Sequence, residues 1–277
     1  MSDPFESSQG PPPASSPAVP SQPPPPTTPP LSEPVGAPPG GPPPPSAPAE
    51  PGILPPAGWG PGRAFAAFAF VLAASIVFGV VVVAFDNDLE SLAAGVAVQA
   101  LLAGSLIFAA FLFATPGMRG LASAESLGLR RPLRKSVWLA IATYFGYIAC
   151  AVVIALLLAP EQEDITRELG GDEGVLGTVI AGILIVIVAP VSEEIFFRGF
   201  FYPGLKKGMP VILAALLASV VWGLLHYTGA GTWGVVVQIT VFGLWLSWLY
   251  ERTGSIYPTI AVHILNNAVA FTFLVAS

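Results

Sequence analysis

Charged side chains are scarce in this sequence. Asp, Glu, Lys and Arg together make up 10% of its 277 residues, where a soluble domain carries about 25%. With 53% hydrophobic residues and a mean hydropathy of +0.72, that shortage excludes an ordinary water-soluble fold and points to lipid as the solvent. Cysteine occurs once, at Cys150, so a disulfide framework and a cysteine zinc cluster are both excluded. In its apolar surroundings Cys150 reads as a small packing residue rather than a reactive thiol. No basic run is long and the formal net charge is −6, which leaves no electrostatic footprint for nucleic acid. The opening Met1-Ser-Asp-Pro-Phe-Glu lacks the basic and apolar regions of a signal peptide.

Proline, by contrast, is abundant and unevenly placed. The first 62 residues hold 24 of the 31 prolines, in runs such as Pro11–Pro13, Pro23–Pro26 and Pro42–Pro45. They show no apolar periodicity. Such a segment cannot bury enough surface to offset its ordering entropy, so residues 1–62 are expected to be a disordered tail with polyproline II stretches. It reads as a solvated tether or as a docking site for a proline-recognising domain.

Hydrophobic blocks separated by short polar loops follow. A helix needs about 20 apolar residues to cross the hydrocarbon core. Candidate spans are Ala64–Phe85, Leu92–Phe113, Val137–Ala159, Val175–Phe201, Val211–Tyr227, Trp233–Tyr250 and Ile256–Ala276, of which Val211–Tyr227 is short enough to be tilted or partly re-entrant. The fold class is therefore an all-α polytopic membrane protein of about seven transmembrane helices, preceded by the tail. Residues 63–136 read as two helices and a basic loop, and 137–277 as the functional membrane domain. Val175–Phe201 is long for one straight crossing, and Pro190 is expected to kink it, because proline cannot supply the i to i−4 hydrogen bond.

The basic residues set an orientation. With seven alternating crossings, the side of the tail receives Arg63, Arg119, Arg130, Arg131, Arg134, Lys135, Lys206, Lys207 and Arg252, and the opposite side only Arg167. The opposite side collects acids in the loops that follow the first and third spans. That bias places the N-terminus in the cytoplasm of a plasma membrane, and the composition suggests a bacterial inner membrane.

Ionisable groups in hydrocarbon cost about 2.5–3.5 kcal/mol each on insertion scales, so they mark functional sites by default. The strongly ionisable residues inside the spans are Glu193, Glu194, Arg198, His226 and His263, the last two being the chain's only histidines. In Ser192-Glu193-Glu194-Ile-Phe-Phe-Arg198, Glu194 and Arg198 are i and i+4 and can pair. Glu193 sits about 100° around the helix, free to act as a general base or acid. An ordinary salt-bridge network accounts for Glu194 and Arg198 but leaves Glu193 unexplained. Trp222 and His226 share a face at i, i+4, as do His263 and Asn267, with Asn266 pointing away. Counted along their helices, Glu193 and His263 reach similar depths. His226, roughly 24 Å from Pro210 at 1.5 Å per residue, matches them only if its helix tilts or begins below the surface. Two imidazoles, carboxylates and an amide can hold a metal or polarise a water. No His-Glu-x-x-His helix is present.

Glu-Glu-x-x-x-Arg, then aromatic-x-x-x-His, then His-x-x-x-Asn, on successive hydrophobic segments, resembles the CPBP (CAAX protease and bacteriocin-processing, Abi) family of intramembrane proteases, which includes the type II CAAX prenyl endopeptidases. The resemblance covers roughly Val137 to Ala276, and Ser126-Leu-Gly-Leu-Arg130 is similar to bacterial members. It implies a peptide-bond hydrolase with its site open to the cytoplasm. It also implies that Glu193, Glu194, His226, His263 and Asn267 are the catalytic set, with Arg198 and Trp222 in support, activating a water to cut a protein or peptide substrate. The family label implies Zn²⁺ or another divalent metal, for which His226, His263 and Glu193 are the candidate ligands. A metal-free route, with glutamate and histidine activating water and histidine and asparagine holding the oxyanion, suits the same residues. Trp222 stands where the family more often has phenylalanine. Two rival readings remain open: a non-catalytic scaffold or immunity-type protein on the same fold, and a transporter with mid-depth ionisable residues.

Overall fold

The computed structural model describes residues 57–85, 91–115, 117, 120–160 and 174–276, all within one compact unit, Pro48–Ser277. The expected disorder of residues 1–56, and the acidic segments 86–90 and 161–173, lie outside the described residues.

Among the described residues every long element is a helix and there is no strand. Helix α1 is Pro61–Phe85, α2 Leu92–Phe113 and α3 Ser136–Leu158. The helical run Gly174–Lys206 is α4, Val211–Leu224 is α5, Trp233–Thr253 is α6 and Tyr257–Ala276 is α7. A lipid-immersed chain must satisfy its backbone polar groups internally, and the helix does this within each segment. Large apolar side chains cover the outside, among them Ile76, Phe85, Leu156, Val175 and Phe273. Small ones lie inside, where Ala64, Ala67, Ala109 and Ala110 are fully buried and let backbones approach. Among the described residues six helices are long and apolar enough to cross a membrane, and the chain is an integral membrane protein.

The seventh expected span is different. At 14 residues, α5 is about 21 Å long, short of a full crossing. It ends at Leu224 rather than running on to Tyr227. The amides of Leu225, His226 and Tyr227 bond to the carbonyls of Trp222, Gly223 and Leu224, a three-residue spacing that tightens and closes the last turn.

The long run α4 continues through Pro190 to Lys206. Its register changes instead: α-helical turns alternate with π-helical ones at Leu184–Val188 and Ile195–Phe201. The amide of Ala189 bonds to Leu184 O, one residue beyond the α-helical partner. In that register Ile185 O would await the amide of residue 190, which proline lacks.

Residues 57–62, expected within the disordered tail, are ordered. Trp59 is 3% exposed, stacks on Phe200 with centroids 5.3 Å apart and donates its indole N–H to Phe200 O at 2.9 Å. Pro61 then opens α1 in the first turn, where its missing N–H costs nothing.

The Ser126–Arg130 stretch belongs to the same body. Leu127 is fully buried, and its carbonyl oxygen would lie 2.6 Å from a Cβ placed on Gly199 of α4. Gly128 turns with φ +77° and offers its carbonyl to the amide of Ile256 at 3.0 Å. Ser255 Oγ donates to Arg130 O at 2.6 Å. Nearby, Lys206 and the Tyr202 hydroxyl both reach Glu251, tying the end of α4 to the end of α6. Cys150 is a half-buried free thiol on α3.

Candidate active site

The two carboxylates of α4 face different surroundings because consecutive helical residues differ by about 100°. Glu194 is fully buried. Its Oε1 accepts from Arg198 Nη1 at 2.9 Å and lies 3.1 Å from His263 Nδ1. Arg198, 2% exposed, also holds its guanidinium over the ring of Trp222, 4.2 Å from the centroid. Each charge of this pair is met by an opposite charge or a ring face, which is what makes burial tolerable.

Glu193 is only half-buried and lines a cavity of about 400 Å³. Its Oε2 accepts the Trp222 indole N–H at 2.9 Å. The tryptophan that departs from the more frequent phenylalanine therefore supplies a hydrogen-bond donor that phenylalanine lacks. One indole thus orients Glu193 with its edge and covers Arg198 with its face.

Both histidines line the same cavity. His226 sits just beyond the end of α5, not within an apolar helix as its spacing suggests. Its ring lies 5.7 Å from that of Trp222, and His263 lies 5.3 Å from the same ring on another side. His226 Nδ1 is 3.0 Å from Trp222 O. A carbonyl only accepts, so Nδ1 carries the hydrogen and Nε2 is left with a lone pair. Glu194 imposes the same tautomer on His263. Phe242 braces His263 edge-on at 5.5 Å.

Asn267 donates from Nδ2 to Ile185 O at 2.9 Å, which meets the carbonyl that Pro190 leaves without a partner. One of its amide hydrogens is thereby committed to α4, while the side chain still lines the cavity. Asn266, expected to point away, lines the cavity too and donates to Asn267 Oδ1 at 3.4 Å. The structure thus brings Glu193, Trp222, His226, His263 and Asn267 around one cavity and sets Glu194 and Arg198 behind it.

Glu193, His226 and His263 do not close round a common point as a metal centre requires: among the described residues no three His, Cys, Asp or Glu side chains are grouped to hold an ion. Sequence reasoning, attentive to ionisable groups, passed over three further polar residues lining the cavity, Gln99, Tyr147 and Gln238. Two of them were findable, since glutamines are unusual in apolar spans. Phe242 gave no signal among many aromatics.

Residues 175–269 match the family of type II CAAX prenyl endopeptidase Rce1-like proteins. They form an Rce1-like region. The matched stretch runs from the start of α4 into α7 and contains every residue assembled around the cavity apart from Gln99, Leu102 and Tyr147, and, at its outer end, Ala270, Phe271 and Leu274. The chain is also 30% identical over 107 residues to the "Putative membrane peptidase YdiL" of Bacillus subtilis (strain 168), a match covering 37% of this chain and 42% of that protein. This chain therefore spans less than half the length of the relative it matches. No solved structure matches. The Rce1-like region and this relative agree with the CPBP resemblance read from the motifs.

Proposed function

We propose that this protein is an intramembrane endopeptidase that hydrolyses peptide bonds with a water activated by Glu193. The supporting observation is the separation of roles within α4: Glu194 is paired directly with Arg198, whereas Glu193 faces the cavity and takes its hydrogen bond from an uncharged indole N–H. Glu193 removes a proton from water as the oxygen attacks the substrate carbonyl carbon, then passes that proton to the departing amine nitrogen. The Nε2 atoms of His226 and His263 position the water. His263, backed by a carboxylate as in other acyl-transfer sites, can take up a proton at Nε2 and donate to the oxyanion. The second amide hydrogen of Asn267 serves the same oxygen. The Rce1-like match and the peptidase relative support this reaction class.

The same reading places the N-terminus and the basic loops in the cytoplasm, with Zn²⁺ dispensable. The test uses the purified chain in lipid nanodiscs with a mixture of uncharged and charged peptides, products being read by mass spectrometry. The native chain should generate new termini, and Glu193→Gln, His226→Ala and His263→Ala should each remove them. Equal cleavage by a chain carrying all three substitutions would eliminate the proposal and leave a non-catalytic scaffold.

A further inference from the structure

Beyond the water-activating residues, the cavity contains polar groups that the reaction does not use. Tyr147 on α3 and Gln238 on α6 are bonded to each other, Gln238 Nε2 donating to the Tyr147 hydroxyl at 3.3 Å. Gln99 on α2 lines the same cavity and makes no hydrogen bond among the described residues. Around them the lining is apolar, with Leu102, Ile239, Phe271 and Leu274, while Asn266 and Asn267 lie with the reactive set; among the described residues Glu193 is its only acidic or basic side chain apart from the histidines. An amide or hydroxyl left unpaired in apolar surroundings costs about 1–3 kcal/mol on mutational scales. Such groups on three different helices, converging on one space, are expected to be satisfied by whatever occupies it.

The Tyr147–Gln238 pair presents a definite pattern. With Gln238 donating, the tyrosine keeps its O–H as a donor and Gln238 keeps Oε1 as an acceptor. Turning the amide end for end exchanges the two roles and leaves one donor and one acceptor all the same. A peptide unit presents the complement, one C=O and one N–H. A membrane segment must unwind before it can be cut, and its freed backbone groups then need partners that lipid does not supply. Tyr147 is also fixed in place. It is 3% exposed, and its ring packs on Phe242 at 4.3 Å, the same ring that braces His263.

We propose that Tyr147 and Gln238, with Gln99 across the cavity, form a station that reads the main chain of an extended, uncharged peptide segment and positions it against Glu193. This rests on the endopeptidase reading for its reaction but not for its binding. The station hydrogen-bonds peptide C=O and N–H groups, the apolar walls accept Ala, Val or Leu side chains, and apart from Glu193, which the reaction uses, a charged side chain entering there meets no counter-ion among the described residues. Tyr147, Gln238 and Gln99 are positioning residues.

The experiment measures binding separately from cleavage. The full chain carrying Glu193→Gln, in lipid nanodiscs, is titrated into a dye-labelled Ala/Leu/Val peptide and followed by anisotropy. Tyr147→Phe, which keeps the ring on Phe242, and Gln238→Leu are expected to weaken binding about tenfold each, the worth of one or two hydrogen bonds. N-methylation of the peptide's backbone amides should weaken binding to the parent by a similar factor. It should have little further effect once both substitutions are present, since a lost partner cannot be lost twice. A peptide carrying a central Lys or Glu should bind at least tenfold more weakly than the uncharged one. Unchanged affinity in Tyr147→Phe, full additivity with N-methylation, equal binding of the charged peptide, or no binding of the uncharged peptide would each overturn the proposal. If Gln238→Leu does not fold, Tyr147→Phe alone decides. A peptide that binds as expected but is never cut by the native chain would sink the endopeptidase reading and leave the station standing.

Discussion

Glu193 and Glu194 are neighbours in the chain, yet the cavity face and the inner face of α4 treat them as different chemical species. On the inner face Glu194 has no exposed surface and is held by Arg198 and His263. On the cavity face Glu193 is half-buried and, among the described residues, has a single hydrogen-bond donor, the Trp222 indole. One helix thus serves structure on one side and reaction chemistry on the other, and a rotation of about 100° between consecutive residues is sufficient to separate the two. The difference teaches that a Glu-Glu pair in a membrane helix need not act as a dyad.

This contrast can be broken most severely at the cavity face. Glu193→Gln is expected to lower the rate of peptide cleavage by about 10²–10⁴-fold, the range for loss of a general base, while the melting temperature in detergent stays at the native value. A parallel fall in melting temperature would assign Glu193 to the scaffold. On the inner face the expectation reverses. Glu194→Ala leaves the Arg198 guanidinium buried without its carboxylate and should destabilise the fold by about 3–5 kcal/mol, read as an early unfolding transition. Trp222→Phe comes next. It keeps an aromatic ring for Arg198 and His263 but removes the donor to Glu193, and hydrogen bonds to charged groups contribute about 1.5–3 kcal/mol. Turnover should fall about tenfold or more, with a smaller loss of stability from the reduced ring. Gly199→Ala would force a methyl group against Leu127 O and should cost about 1–3 kcal/mol of stability, as overpacking does, with kcat little changed in the folded fraction. The smallest expected effect is none: a chelator added to the purified protein should leave cleavage rates unaltered, and a loss reversed by Zn²⁺ would show that the His and Glu donors close round an ion on substrate binding.

Much of this contrast was legible in the sequence. Helical spacing separates Glu193 from Glu194 and joins Glu194 to Arg198, because both facts follow from 3.6 residues per turn. Six of the seven spans were legible from length and apolarity alone. The shortness of α5 was legible too, but not its end, since Leu225 and Tyr227 prolong its apolar run past the point where the hydrogen-bond spacing tightens. Pro190 signalled a break, but the sequence does not say that α4 would absorb it through π turns and recruit Asn267 to the vacated carbonyl of Ile185. The burial of Trp59 was hidden because its neighbours are prolines and glycines. Its partner, Phe200, lies 141 positions away, and no local pattern reports a contact at that separation. Gln99 and Gln238 stood out as glutamines in apolar spans, but that they share one cavity with Tyr147 was hidden for a similar reason, since three helices bring them together.

The two histidines are held in the same tautomer by different kinds of atom, and that has a genetic consequence. His263 depends on a carboxylate, which a single nucleotide change in the codon for Glu194 can delete. His226 depends on the main-chain oxygen of residue 222, which every amino acid supplies. Mutation can therefore disarm the first histidine from a distance but the second only by replacing it or unwinding its turn. A lineage drifting from enzyme to scaffold would be expected to lose the orientation of His263 first, while His226 stayed poised over a site that no longer worked.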